Sequence, residues 1–466
     1  MLEFLIGSPA AALRKNEIVK NRLWSWRDAL RASYWFIPAL MAVLVTALSI
    51  VTIKVDEGIA QNPTMTLVFA YTDNPEGARV VLSTIASSMI TVAGTVFSLT
   101  MVVLSLTSQQ YGPLILVHFM RDRGNQFVLG IFTATFLYCL LILRTIHGVE
   151  NGIFIPHVSM LIGMTLAISD LAVLIYFIHH ISQSIQGPNI IARIAEDMLH
   201  SVDEVFPSQI GKELPQADLA QQQLINKRVD HEAMRISARA SGYLQMVDDD
   251  TLVALAIKDN LVLKLEAVPG QFIIKGQPLV RILDMDDQRE VNHLEDRVLD
   301  TFVFGSQRTI TQDFAYIFIQ LSALAVRALS PGFNDPYTAV MVIDRLAEGL
   351  AAVLQRDEPS MYRYDQENRL RVIAAPLTFE SLLHTAFDQI RHYGNQDAAV
   401  VLRLLRVLNL LWSFARTNAH RQIVRDYTMT LVEECRQHFT PTELARVETQ
   451  YAELTRRFEN SPPLRV

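Results

Sequence analysis

VLSTIASSMITVAGTVFSLTMVVLSLTSQQ, residues 81–110, decides the fold. The run exceeds the roughly 20 residues that a helix needs to cross a bilayer, and it carries no Asp, Glu, Lys or Arg. Wound at roughly 100° per residue, it places Ser83, Thr84, Ser87, Ser88, Thr91, Gly94, Thr95, Ser98, Ser105, Ser108 and Gln109 within about half of its circumference. Thr100 and Thr107 fall on the other side. Ile85, Met89, Val92, Val96, Leu99 and Val103 form the opposite face, which suits lipid or an apolar neighbour. A hydroxyl-bearing stripe on a spanning helix can arise in two ways. Small residues let helices approach closely and hydroxyls bond across the contact, so the stripe is a packing seam; or the stripe faces water and lines a pathway. Met101 and Val102 interrupt it. They read either as an apolar constriction that gates by dewetting or as a local knob in a seam.

The surrounding chain has 466 residues, half of them apolar, and a positive mean hydropathy. That leaves room for a membrane region and a soluble portion of one or two domains. A formal charge of -7 gives no reason to expect a nucleic-acid partner. Two cysteines, Cys139 in an apolar run and Cys435 in the polar tail, are too few and too far apart for a disulfide framework or a zinc site. Neither a metal nor a cofactor is expected.

Working outward from the stretch, residues 1–31 read as an amphipathic inner-leaflet segment. Arg14, Lys15, Lys20, Arg22, Arg27 and Arg31 outnumber the acids there, and Trp24 and Trp26 flank the first apolar run. A four-helix transmembrane domain is expected over 32–180. Its spans cover about 32–53, 81–110, 126–146 and 156–178, with Tyr34 and Trp35 as interfacial anchors and Tyr111-Gly112-Pro113 stopping the second. Lys and Arg gather before the first span and in Arg121-Asp122-Arg123 between the second and third. The positive-inside rule therefore places both termini in the cytoplasm.

Three residues inside the spans are noteworthy. Arg144 lies near the end of the third span, where its guanidinium can snorkel to the headgroups. Asp170 lies some two thirds of the way along the fourth. An intramembrane acid is a functional candidate; the plain alternative is hydration near the face, or pairing with His179 or His180. Cys139 reads as a small buried hydrophobe.

Beyond the spans, a helical linker is expected over 181–235, a small β-rich module over 236–284 and a helical cytoplasmic domain over 285–466. In the module, Ser241 to Val247 and Leu261 to Ala267 read as strands, and Asp248 caps a short helix. Phe272-Ile273-Ile274 and Pro278 to Ile282 read as a hairpin about Lys275-Gly276. From Glu290 onward only helices are expected. Phe314 to Leu329 leads through Ser330-Pro331-Gly332-Phe333-Asn334 to Asp335, an N-cap, and Pro336, a helix-starting residue. With Arg327, this turn can either bind an anion or nucleotide or simply link two buried helices. Later helices are read at about 378–393, 397–418 and 443–459.

The closing part of the β-module, with its Gly-Gln-Pro-Leu turn at 276–279, resembles half of a biotinyl or lipoyl-type barrel. It lacks the acidic-lysine turn that carries the cofactor, so the resemblance implies shape alone. A longer resemblance covers nearly the whole chain. Four spans, the hydroxyl-rich run through Gly112-Pro113, Phe119-Met120-Arg121-Asp122-Arg123-Gly124-Asn125-Gln126 and Arg327-Ala328-Leu329-Ser330-Pro331-Gly332-Phe333-Asn334-Asp335-Pro336 resemble bacterial membrane proteins grouped as domain of unknown function 2254. Phe333 stands where that pattern would carry an aliphatic residue. The resemblance implies the topology and a bacterial inner-membrane location, and it brings no activity with it.

No Walker lysine loop, His-Glu-x-x-His or Gly-x-Ser-x-Gly occurs, so no enzyme is expected. The expected fold class is a mainly α membrane protein, with four transmembrane helices followed by a cytoplasmic α+β region that has a small β-module and a helical C-terminal part. The expected function is a homo-oligomeric channel for an ion or small solute, lined by the second span. The alternative is a non-conducting scaffold or sensor whose cytoplasmic domain docks partners.

Overall fold

The computed structural model describes residues 35–60, 74–116, 119, 122–146, 154–205, 233–283 and 291–460. The expected inner-leaflet segment 1–31, Arg121 of the basic turn and the Gln-rich part of the linker lie outside the described residues. The chain forms two compact units, one of residues 22–189 and one built mainly from residue 190 onward.

Among the described residues of the first unit, four helices are long and apolar enough to cross a membrane: α1 (Phe36–Ala60), α2 (Pro75–Tyr111), α3 (Arg123–Leu143) and α4 (His157–Ser184). Their ends follow from local chemistry. Asn74 accepts a hydrogen bond from the Glu76 amide at 3.0 Å, with Pro75 in the first turn of α2. At the other end the Gly112 amide bonds to the Ser108 carbonyl and Pro113 bars continuation. Asp122 caps α3 through the Gly124 amide at 2.9 Å. At 37 residues, α2 is about 55 Å long, against a hydrocarbon core of about 30 Å.

The third span is the hub. Half of its apolar window is buried, against 22% or less for the other three, and it packs on α1, α2 and α4. Gly130 permits the close approach of α1, since a Cβ there would stand 2.5 Å from Met41 Sδ and 3.3 Å from Pro38 Cα. Val45, Leu82, Ala86, Tyr138, Ile142 and Met160 fill the shared core.

In the second unit, α5 (Gly187–Val205) precedes an α+β body. It contains β1 (Met234–Ser237), β2 (Gly242–Val247), α6 (Asp249–Lys258), β3 (Val262–Leu265), β4 (Phe272–Ile273), β5 (Pro278–Leu283), α7 (Val291–Leu299) and β6 (Phe302–Gly305). There follow α8 (Phe314–Ala328), α9 (Pro336–Leu354), β7 (Tyr362–Tyr364), β8 (Leu370–Ile373), α10 (Phe379–Gly394), α11 (Ala398–Phe414), α12 (Asn418–Cys435) and α13 (Pro441–Asn460). One sheet runs β1-β5-β3-β8-β7, the other β4-β2-β6. Ile236, Leu244, Leu252, Leu263, Ile273, Val280, Val298 and Phe302 are buried together in this region.

Three expectations need correcting here. The hairpin expected across Lys275-Gly276 does not form, because β4 pairs with β2 whereas β5 pairs with β1 and β3. The chain turns there, but the Gly276 amide bonds to the Ala238 carbonyl and the strands on either side enter different sheets. The part after 290 is not purely helical. β6 pairs with β2, and β8 joins β3 in parallel, Leu263 opposite Val372. Buried Arg371 ties that junction, donating to Asn260 Oδ1 at 3.0 Å and to Asp365 Oδ2 at 2.8 Å. Finally, the helix read over 397–418 ends at Phe414, and Thr417, accepting from the His420 amide at 3.1 Å, starts α12.

Candidate functional site

The packed face of α2 consists of Ala78, Leu82, Ala86, Ala93, Val96, Thr100, Val103 and Thr107. On a helical wheel its centre lies roughly 180° from that of the hydroxyl stripe. Accordingly Thr84, Ser87, Ser88, Thr91, Gly94, Thr95, Ser98 and Ser105 are exposed on the single chain, and Ser83 is half-buried. Thr100 and Thr107, the two that break the pattern, lie inside. Met101 and Val102 are exposed in the same sector as the stripe, at 39% and 51%. Several stripe hydroxyls donate to carbonyls of their own helix: Ser83 and Thr84 to Val80 at 3.0 and 2.7 Å, Thr91 to Ser87 at 2.8 Å, and Thr95 to Thr91 at 3.0 Å. Such bonds occupy the donor and leave the oxygen facing outward. The stripe is thus an uncharged polar surface on the outside of one bundle, and within a single chain it is no packing seam.

The bundle interior holds polar groups of its own. Asp56, near the end of α1, accepts from the Val158 amide at 2.8 Å, the Ser159 amide at 3.0 Å and the Ser159 hydroxyl at 2.6 Å. It thereby caps α4, whose own Pro156 offers no side-chain cap. The Tyr138 hydroxyl donates to the Ser159 carbonyl at 3.1 Å and meets Thr52 Oγ1 at 3.2 Å. At the opposite end of the bundle, His180 Nε2 lies 2.9 Å from Asp122 Oδ2 and stacks on Tyr176. His179 bonds to Gln183. Neither histidine pairs with Asp170, so pairing does not account for the intramembrane acid: helix rise separates them by about 14 Å. Asp170 is wholly buried, and among the described residues neither of its carboxyl oxygens accepts from an amide or a cationic group. Arg144 is exposed at the C-cap of α3.

Sequence reasoning passed over Asp56, Tyr138 and the His180–Asp122 pair. Asp56 looked like one of several acids in a connection. Its only signal was that the fourth span begins without a capping residue, which obliges some other chain segment to satisfy its amides.

In the second unit, the turn between α8 and α9 uses its side chains on itself. Ser330 donates to the Arg327 carbonyl at 2.7 Å, Asn334 adopts a left-handed φ of 46°, and Asp335 accepts from the Thr338 amide at 3.1 Å. The Arg327 guanidinium lies 5.4 Å from the centre of the Phe333 ring, a cation–π contact. Elsewhere an open groove of about 680 Å³ is lined by Leu199, Ala351, Val407, Leu410 and Phe414, with the Arg403–Asp344 ion pair at its edge. Among the described residues no three His, Cys, Asp or Glu side chains are grouped to hold a metal ion.

Residues 31–409 match the family described as predicted membrane protein (DUF2254). Uncharacterized proteins of Mycobacterium tuberculosis and Mycobacterium bovis are each 30% identical over 427 residues, which is 90% of this chain and 79% of theirs. No solved structure matches the chain.

Proposed function

The chain belongs to the DUF2254 family of predicted membrane proteins, and from that premise we propose that it assembles as a homo-oligomer around a passage for an ion or small solute. Copies of α2 line the passage with Ser83, Thr84, Ser87, Ser88, Thr91, Gly94, Thr95, Ser98 and Ser105, and Met101 and Val102 form its apolar constriction. The observation that carries this reading is the exposure of the stripe on the side of α2 opposite its packed face. Lipid gains nothing from a row of hydroxyls, whereas a second copy or water does. An uncharged wall would discriminate by size and by the ease of shedding hydration. In this reading the protein sits in the bacterial inner membrane with both termini in the cytoplasm, and it has no catalytic role.

A second reading is a non-conducting scaffold or sensor whose soluble unit docks a partner. The open groove beside Arg403 and Asp344 favours it.

Cross-linking separates these readings. Cys139 and Cys435 are both buried, so a Ser98→Cys variant presents one accessible thiol. Under mild oxidation in membranes, disulfide-linked dimers are expected, and in vesicles a water-soluble thiol reagent should reach Ser98→Cys and reduce flux. A chain that stays monomeric and carries no current across reconstituted bilayers refutes the proposal.

A further inference from the structure

Inside the bundle of one chain, Asp170 lies about two turns along α4 from Gly163, the point where α4 closes on Leu82 of α2 and on Tyr138 and Cys139 of α3. Its carboxyl is wholly buried, and among the described residues neither oxygen accepts a hydrogen bond from an amide or a cationic group. On α3, Thr135 is likewise buried, and its hydroxyl makes no hydrogen bond to the backbone of its own helix among the described residues. That is unusual for a membrane threonine. Two residues earlier, Thr133 donates to the Leu129 carbonyl at 2.8 Å, the ordinary arrangement. Thr135 and Cys139, about one turn apart, are the α3 groups that interact with Asp170.

An ionised carboxylate in this place would have lost its hydration and gained neither amide nor ammonium among the described residues in return. One added proton removes the charge and supplies an O–H for which the Thr135 oxygen is an acceptor. We propose that Asp170 and Thr135 form a proton-binding site within the bundle of a single chain, separate from the stripe on α2.

The other titratable groups buried on the surrounding helices are few among the described residues. Cys139 and Tyr138 lie on α3, Asp56 lies on α1 toward the Ser159 end, and Asp122 faces His180 at the opposite end. The packed face of α2 contributes none. No cation among the described residues therefore stands beside Asp170 to hold it ionised. A carboxyl and one hydroxyl are also too few oxygens to replace the shell of a metal cation.

The test uses the full chain in vesicles and infrared spectroscopy at pH 7 in sodium-free buffer. An aspartate in water is protonated there in about one molecule in a thousand; Asp170 is expected to be protonated in a far larger share. The C=O stretch of a protonated carboxyl should appear in the wild type, shift in D2O, and vanish in Asp170→Asn, which is nearly isosteric with the neutral acid. Thr135→Val should move the band by removing its hydrogen-bond partner, which identifies it even if Asp170→Asn fails to fold. No such band in the wild type, or one that neither variant alters, overturns the proposal. So does a band that disappears when sodium is added, since the site would then take a metal cation in place of the proton.

Discussion

Asp56→Ala removes the cap that one membrane helix supplies to another. The carboxylate accepts three hydrogen bonds, from the Val158 and Ser159 amides and the Ser159 hydroxyl. Losing a side-chain cap costs about 1 kcal/mol, and up to about 2; each buried donor left without a partner costs about 1–3 kcal/mol. Ser159 is fully buried while Val158 is half-exposed, so the second cost applies chiefly to Ser159. Together these give a destabilisation of about 3 kcal/mol for Asp56→Ala. Asp56→Asn, which keeps one acceptor oxygen, should lose about 1 kcal/mol. Reversible unfolding of the purified chain in mixed micelles with rising dodecyl sulfate, extrapolated linearly, reads both numbers. Tyr138→Phe provides a cross-check. Because Tyr138 and Asp56 both bind Ser159, the double variant should lose less or more than the sum of the single ones. An Asp56→Ala protein that unfolds at the wild-type midpoint would refute the reasoning, since the cap would then contribute nothing.

If copies of α2 line a passage as proposed, Ser98→Leu should obstruct flux in reconstituted vesicles and Met101→Ser should make it leaky, because one would thicken the wall and the other wet the constriction; unchanged flux in both removes α2 from the pathway. Asp335→Ala should destabilise the second unit by about 1 kcal/mol in a denaturant titration by removing the cap of α9. Gly270→Ala should cost roughly 2 kcal/mol or more, because φ there is +90° and its Cβ would lie 2.1 Å from Asp313 Oδ2. For Asp365, burial raises the pKa, but the Arg369 amide and the Arg371 and Arg369 guanidinium groups outweigh it and hold the carboxyl at about 2, below its ordinary 3.8. Its contribution to stability is therefore complete above about pH 4 and is lost as the pH falls through about 2. Melting curves of wild type and Asp365→Asn followed between pH 5 and pH 2 should converge on acidification, and parallel curves would exclude the linkage.

Much of the architecture is legible because its causes are local. The four spans are read from runs of apolar residues, and their ends from Asn74-Pro75, Gly112-Pro113 and Asp122. The caps at Asp248, Asp335 and Thr440 each act within three residues. Where a residue's partner is distant, the reading fails. β8 needs β3, more than a hundred positions earlier in the chain, and a short run such as Leu370–Ile373 has no periodicity by which to announce itself. The hairpin expected at Lys275-Gly276 had the correct turn chemistry, yet its strands found better partners in separate sheets. The same limit applies to Asp56, which meets Ser159 across 103 positions.

The sequence by itself determined that the second span has a hydroxyl-rich side and an aliphatic side, since that division follows from helical periodicity alone. Only the tertiary structure decided which side meets the third span. Close packing rewards the shape of a surface as well as its polarity. The face with Ala78, Leu82, Ala86, Ala93 and Val96 fits the hub helix and turns inward, leaving the hydroxyls outside. The burial of Asp170 was likewise decided in three dimensions, where neighbouring helices cover its carboxyl and, among the described residues, bring it no amide or cationic partner.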